Sequence, residues 1–149
     1  MKKLIIILGW VLMTSCSQAQ QNEVPNLPTG YLYKIEPGIP GKQIYVCGEH
    51  PFNANGALVA SGDLSGQTRQ VFDNIKASLA TVSMTLNDVT QVTYSIKGTS
   101  VKVSADTASL LTNIGALYFT QPPKHVELKS IPKIIRDDVL IEVEVIAMK

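Results

Sequence analysis

The sequence predicts an α+β fold, a mixed sheet covered on one face by two helices. Three observations carry this reading. Two stretches place apolar residues at steps of three and four, two others alternate apolar with polar residues, and the elements run strand, strand, helix, strand, helix, strand, strand. Roughly 130 residues beyond an N-terminal leader fit one domain.

The elements follow in order. Residues 43–48, Gln-Ile-Tyr-Val-Cys-Gly, are β-branched and aromatic and are stopped by Gly48 and then Pro51, so they read as a strand. Asn53-Ala54-Asn55-Gly56 is a turn. Asp63 or Ser65 caps a helix whose stripe is Thr68, Val71, Phe72, Ile75, Leu79 and Val82. Residues 85–89 form a short capped turn, and Val92, Tyr94 and Ile96 alternate with Thr93, Ser95 and Lys97 as a half-buried strand. Asp106 or Thr107 caps a second helix with Leu110, Leu111, Ile114, Leu117 and Tyr118 as its buried stripe, ended by Pro122 and Pro123. Two strands close the chain, 126–131 and 139–147. In the second, Val139, Ile141, Val143 and Val145 share one face, and Leu140, Glu142, Glu144 and Ile146 the other. Nothing in one chain covers the sheet face opposite the helices, so a closed homo-oligomer is expected.

The first residues have the pattern of an export signal. Met1-Lys2-Lys3 precede the apolar run 4–12, which is shorter than the roughly 20 residues of a membrane span. Met13-Thr14-Ser15-Cys16 resembles a bacterial lipobox, with Cys16 as the lipidated residue. The expected organisation is a signal peptide over 1–16, a flexible tether over 17–30 and a folded domain over 31–149. The expected location is membrane-anchored and facing the periplasm, with soluble periplasmic protein, cleaved after Ala19, as the alternative. Beyond the leader Cys47 is the single cysteine besides Cys16, so no intramolecular disulfide is expected to staple the domain. Losing Lys2 and Lys3 lowers the 13 basic residues by two, to 11, against 12 acidic ones. That balance argues against nucleic acid as a partner.

Several segments together resemble the reactive-intermediate-deaminase (Rid, YjgF-type) family. Residues 67–77, Gln-Thr-Arg-Gln-Val-Phe-Asp-Asn-Ile-Lys-Ala, are similar to its first-helix signature, and Cys47-Gly48-Glu49 stands at its S-G-Q position. Leu86-Asn87-Asp88-Val89 resembles its L-x-D-V turn, and residues 141–149 its terminal strand I-E-I-E-A-I-A. The resemblance implies a chorismate-mutase-like α+β domain, a homotrimer and small-molecule clefts between subunits. It implies no cofactor, and no metal-ligand motif is present. The implied partners are other copies of the chain, a small organic ligand, and the membrane through the lipid anchor alone.

The best-known members of that family hydrolyse imines and enamines derived from amino acids. In their pattern P-A-R-x-x-V-E-V an arginine grips the substrate carboxylate, a task suited to a bidentate guanidinium. Here Pro123 stands three residues before Val126, at that position. Lys124 is next to it but carries a point charge in place of a fork. By resemblance Glu142 is the cleft glutamate that helps position water, a general acid or base, with a solvated strand residue as the plain alternative. His125 stands near the same cleft as a candidate proton shuttle or a structural histidine. Cys47, Gly48 and Glu49 are expected to line the cleft, and Asn113 lies within about one position of a family asparagine. Cys47 with His50 is a weak catalytic or metal pair, and a buried small residue is the plainer reading of Cys47. Tyr31-Leu32-Tyr33-Lys34 replaces the family's G-P-Y-S-Q-A segment.

Three functions follow as expectations. The first is a divergent small-molecule-binding trimer of the cell envelope without 2-imino acid deaminase activity. The second is an active enamine or imine hydrolase on a different substrate. The third is a structural or partner-binding trimer.

Overall fold

A computed structural model describes residues 32–35 and 43–149. The leader, lipobox and tether expected over 1–30 lie outside them. The elements are β1 (Leu32–Ile35), β2 (Gln43–Glu49), α1 (Leu64–Thr81), a 3-10 turn (Leu86–Asp88), β3 (Val89–Lys97), α2 (Ala105–Tyr118), β4 (His125–Ile131) and β5 (Ile141–Met148). They build a five-stranded sheet in the order β1-β2-β5-β3-β4. All neighbours are antiparallel except β3 and β4, which are parallel and joined by α2 as a crossover. The expected mixed α+β sheet is therefore present.

Register assigns the two faces. Val92 pairs with Val145, Tyr94 with Val143 and Ile96 with Ile141, and all six are buried on the helix-covered side. Thr93 opposite Glu144 and Ser95 opposite Glu142 belong to the other side. From α1, Val71, Phe72, Ile75 and Leu79 are fully buried over the sheet. Leu111 and Ile114 of α2 complete that layer. Phe72 sits at its centre, stacked with Tyr118 at 5.0 Å and edge-on to Phe119 at 5.3 Å. Apolar burial of this kind supplies most of the drive to fold.

Asp63 caps α1, its carboxylate accepting from the backbone of Ser65. The second helix is capped by Ser104, earlier than either residue expected, and its hydroxyl accepts from the Thr107 backbone. Asp106 then lies in the first turn, where the helix dipole favours an acid. Leu117, expected in the buried stripe, is 65% exposed because α2 turns that side away from the sheet. Gln67 is wholly buried and joins α1 to the β4–β5 connection: its Nε2 donates to the Asp138 carbonyl at 2.9 Å and its Oε1 accepts from the Leu140 backbone at 2.7 Å. That bond pair fixes the entry of β5, and so the place of Glu142.

Candidate functional site

Two regions bring together the residues singled out in the sequence. The first is a cavity of about 390 Å³ between α2 and the β3–β4 edge, reached from the Pro122-Pro123 turn. Its walls include Tyr94, Leu111, Gly115, Phe119, Pro123 and Leu128. No Lys, Arg, His, Asp or Glu is among the described residues that line it. Pro123 thus presents a hydrocarbon ring to an uncharged space. Lys124 is exposed beside this turn, and His125, the first residue of β4, is exposed as well. Asn113 is exposed on α2 and does not line the cavity, whereas its neighbour Thr112 does.

The second region is a bulge in β2. Val46 pairs with Val145 and Glu49 with Val143, so three steps on β2 match two on β5. The extra residue reverses the alternation. Gly48 takes φ +63°, a conformation that favours glycine, and Glu49 turns inward beneath α1 instead of lining an open cleft. Glu49 is 3% exposed, and Asn74 of α1 donates to its Oε1 at 3.0 Å. The same amide donates to the carbonyls of His50 and Phe52 at 3.0 and 2.8 Å, and Asn74 Oδ1 accepts from Gln70 at 2.7 Å. Burial pushes the Glu49 carboxyl up to about 7, with the Asn74 bond and the neighbouring His50 drawing it back down. The Cys47 side chain lies outside the described part of the structure.

Past the bulge, His50 meets Glu142. Its Nε2 is 2.8 Å from Glu142 Oε2, close but not aligned as a hydrogen bond, with the side chains 13% and 25% exposed. Gly48 backs the pair: a Cβ there would stand 3.7 Å from both Glu142 Oε2 and His50 Cε1. The Phe52 ring lies 6.1 Å from that of His50, and the Arg136 guanidinium sits 5.6 Å over Phe52. Arg136 Nε and Nη2 are engaged by the Asp138 carboxylate, whose pKa this bonding lowers. Sequence reasoning weighed His50 with Cys47 and missed its contact with Glu142. The two residues lie on distant segments, and no local spacing signals their meeting. Among the described residues no group of three or more His, Cys, Asp or Glu is arranged to hold a metal, and no helix is long and apolar enough to cross a membrane.

The two regions are far apart within one protomer. His125 pairs with Gln91, whereas the Glu142 row runs through Ser95 to Lys129, four residues further along β4. At about 3.3 Å per residue and about 4.8 Å per strand, His125 and Glu142 are separated by roughly 16 Å. His125 therefore does not serve Glu142 in its own chain.

The model of the endoribonuclease L-PSP family matches residues 29–149. The chain belongs to this family. A RutC family protein of Pyrococcus horikoshii is 37% identical over 112 residues, covering 73% of this chain and 81% of the relative. A RutC family protein of Sulfurisphaera tokodaii is 32% identical over the same length, covering 73% of this chain and 82% of the relative. Among solved structures, the Rid family protein YyfB of Yersinia pestis, described as of unknown function, has a TM-score of 0.65 at 29% identity, covering 87% of this chain and 94% of that one. Escherichia coli TdcF with bound serine shares the fold, with a TM-score of 0.61 at 19% identity over 83% of this chain and 94% of that one. The Rid-type membership and α+β architecture expected from the sequence are thus established.

Proposed function

We propose that this protein is a divergent Rid-type small-molecule-binding protein of the cell envelope that lacks 2-imino acid deaminase activity. The observation that carries the reading is the wall at Pro123. Where the family pattern has a guanidinium, this chain has a proline facing a cavity without a charged residue. An anionic substrate brought there would lose its hydration and gain no counter-charge, which is unfavourable by several kcal/mol on the usual scale of buried charges. Neither arginine of the folded domain replaces it. Arg69 is exposed on α1, and Arg136 is held by Asp138 at the other region.

The separation of Pro123 from Glu142 supports a homotrimer with the cleft between copies. If both ends contact one small ligand, the second must come from a neighbouring subunit. Lipidation at Cys16, with residues 17–30 as a tether, would hold that trimer at the membrane facing the periplasm. The test is a coupled ammonia assay with 2-aminoacrylate-type imines on the purified mature chain. No release above the uncatalysed rate is expected, and release above it refutes the reading. Pro123→Arg should give measurable turnover if the remainder of the cleft is intact.

A second reading is favoured by the contact of His50 with Glu142. A carboxylate beside an imidazole is a general acid–base arrangement, and it suits hydrolysis of an imine or amide that has no carboxylate. Turnover of such a neutral substrate that disappears in Glu142→Gln while binding persists would establish it over simple binding.

A further inference from the structure

The cavity beside Pro123 has two side-chain hydroxyls that bond to no described residue, those of Thr120 and Tyr94, and Thr120 is exposed at the surface whereas Tyr94 lies deep. Tyr94 is 5% exposed, its ring edge-on to Phe72 at 6.1 Å and its hydroxyl next to Gly115, where an added Cβ would stand 3.5 Å from the oxygen. Among the described residues no side chain or carbonyl accepts from this hydroxyl, and it is not one of the buried atoms sealed off without a partner, so its free side opens into the cavity. Tyr118, by contrast, gives its hydroxyl to the Arg69 carbonyl at 3.1 Å and to Asp73 at 3.2 Å. Phenols of buried tyrosines usually find a partner, and one that faces a cavity takes it from whatever fills that space, water in the free protein or an acceptor on a ligand. The space in front of this one measures about 390 Å³, within the roughly 300–1,000 Å³ of small-molecule pockets. Burial also pushes the Tyr94 phenol up to about 12, so it remains a neutral donor through the physiological range.

The rest of the lining narrows the ligand. Thr112 already donates its hydroxyl to the Ala108 carbonyl at 2.9 Å, and the other walls are mostly hydrocarbon and aromatic ring. We infer that the cavity binds an uncharged, largely apolar small molecule carrying one carbonyl-type acceptor, and that the Tyr94 hydroxyl donates to that acceptor. This rests on the proposed function, since it names the ligand class of the same proline-walled site. Gly115 has a defined part in it: with no side chain there, the carbonyl can approach the phenol.

Three probes of similar size test the inference on the purified mature chain, by calorimetry and by amide NMR shifts on α2 and β4. They are acetophenone, which has a ring and a carbonyl; cumene, which has the shape without the acceptor; and benzoate, which has the charge. Acetophenone is expected to bind about fivefold tighter than cumene, the worth of one neutral hydrogen bond. Benzoate should produce no shift at the same concentration. Tyr94→Phe should bring acetophenone down to the affinity of cumene and leave cumene unchanged. Where that variant fails to fold, Gly115→Ala takes its place: its Cβ fits at ordinary contact distance, favours the helix, and should weaken acetophenone severalfold by crowding the hydroxyl.

Equal affinity for acetophenone and cumene in the unmodified chain overturns the Tyr94 assignment and leaves the missing anion clamp standing. Benzoate binding more tightly than acetophenone overturns both that assignment and the uncharged reading of the site. Failure of all three probes to bind folded protein overturns the cavity as a ligand site.

Discussion

The region around Pro123 and the region around Gly48 follow opposite electrostatics. Around Pro123 the walls are hydrocarbon, and Tyr94 and the threonines supply the only polar side chains among the described residues that line it. Around Gly48 the chain gathers Glu49, His50 and Glu142, steadied by one asparagine amide from α1. The difference separates scaffold from ligand contact. The bulge that sets Glu49 and His50 beside Glu142 is held by hydrogen bonds that the fold itself requires, so it resists change. The proline turn is held by nothing comparable among the described residues, and a substitution there alters what the cavity accepts without dismantling the sheet.

The comparison is broken most severely at Asn74. Its amide serves Glu49 Oε1 and two carbonyls of the loop that follows β2, and its oxygen also accepts from Gln70. Asn74→Ala leaves a buried carboxyl and two carbonyls without that donor, and the expected loss is about 3 kcal/mol. Urea denaturation at fixed protein concentration measures it through the midpoint. A loss below about 1 kcal/mol would mean that the bulge is held by something other than this amide. Equal damage from Pro123→Ala, which touches no such network, would erase the distinction between the two regions.

Glu49 gives the next largest effect, and its sign is opposite to that of most carboxylates. Its pKa rises on folding from an ordinary 4.5 to about 7. Between those values the folded chain binds more protons at this residue than the unfolded chain, so stability falls as pH rises through the window. Above about 7 the decline from this group stops. At about 1.4 kcal/mol per unit the whole decline is on the order of 3 kcal/mol. Glu49→Gln should remove that slope and be more stable than the unmodified chain at pH 8 by about 2 kcal/mol. The substituted amide keeps an oxygen that can accept from Asn74. Parallel stability curves for the two proteins from about pH 4.5 to 8 would contradict the burial argument.

Much of the fold was legible because it rests on period. The stripe of α1 at Val71, Phe72, Ile75 and Leu79 and the alternation of β5 are read directly from spacing. Residues without a periodic signal were misread. The α2 cap went to Ser104 because three polar residues compete within four positions, and period alone misplaced Leu117, which is on the spacing of the stripe but exposed while Tyr118 next to it packs on Phe72. Strand β3 begins at Val89, earlier than the alternation indicates, because Thr90 and Gln91 span an irregularity in its pairing with β5. At the site, the family pattern located Pro123 and Glu142. The inward turn of Glu49 depends on a bulge that Gly48 alone could have signalled. The contact of His50 with Glu142 depends on pairing between distant strands, which no local spacing encodes.

The smallest effect is expected from that contact. His50 and Glu142 are partly open to solvent and their approach is not aligned, so the coupling between them should be about 0.5–1 kcal/mol, as for exposed ion pairs. A double-mutant cycle of His50→Ala and Glu142→Gln isolates it from the other roles of each residue. The cycle also sharpens the comparison, because the value depends on what covers the pair. Solvent contact as in the single protomer keeps the coupling small. If the chain assembles and a neighbouring copy closes over Glu142, desolvation strengthens the interaction, and the coupling should grow when the protein concentration is raised across the assembly midpoint. A coupling that stays below about 1 kcal/mol at all concentrations would place Glu142 outside any shared cleft and confine ligand binding to the Pro123 end.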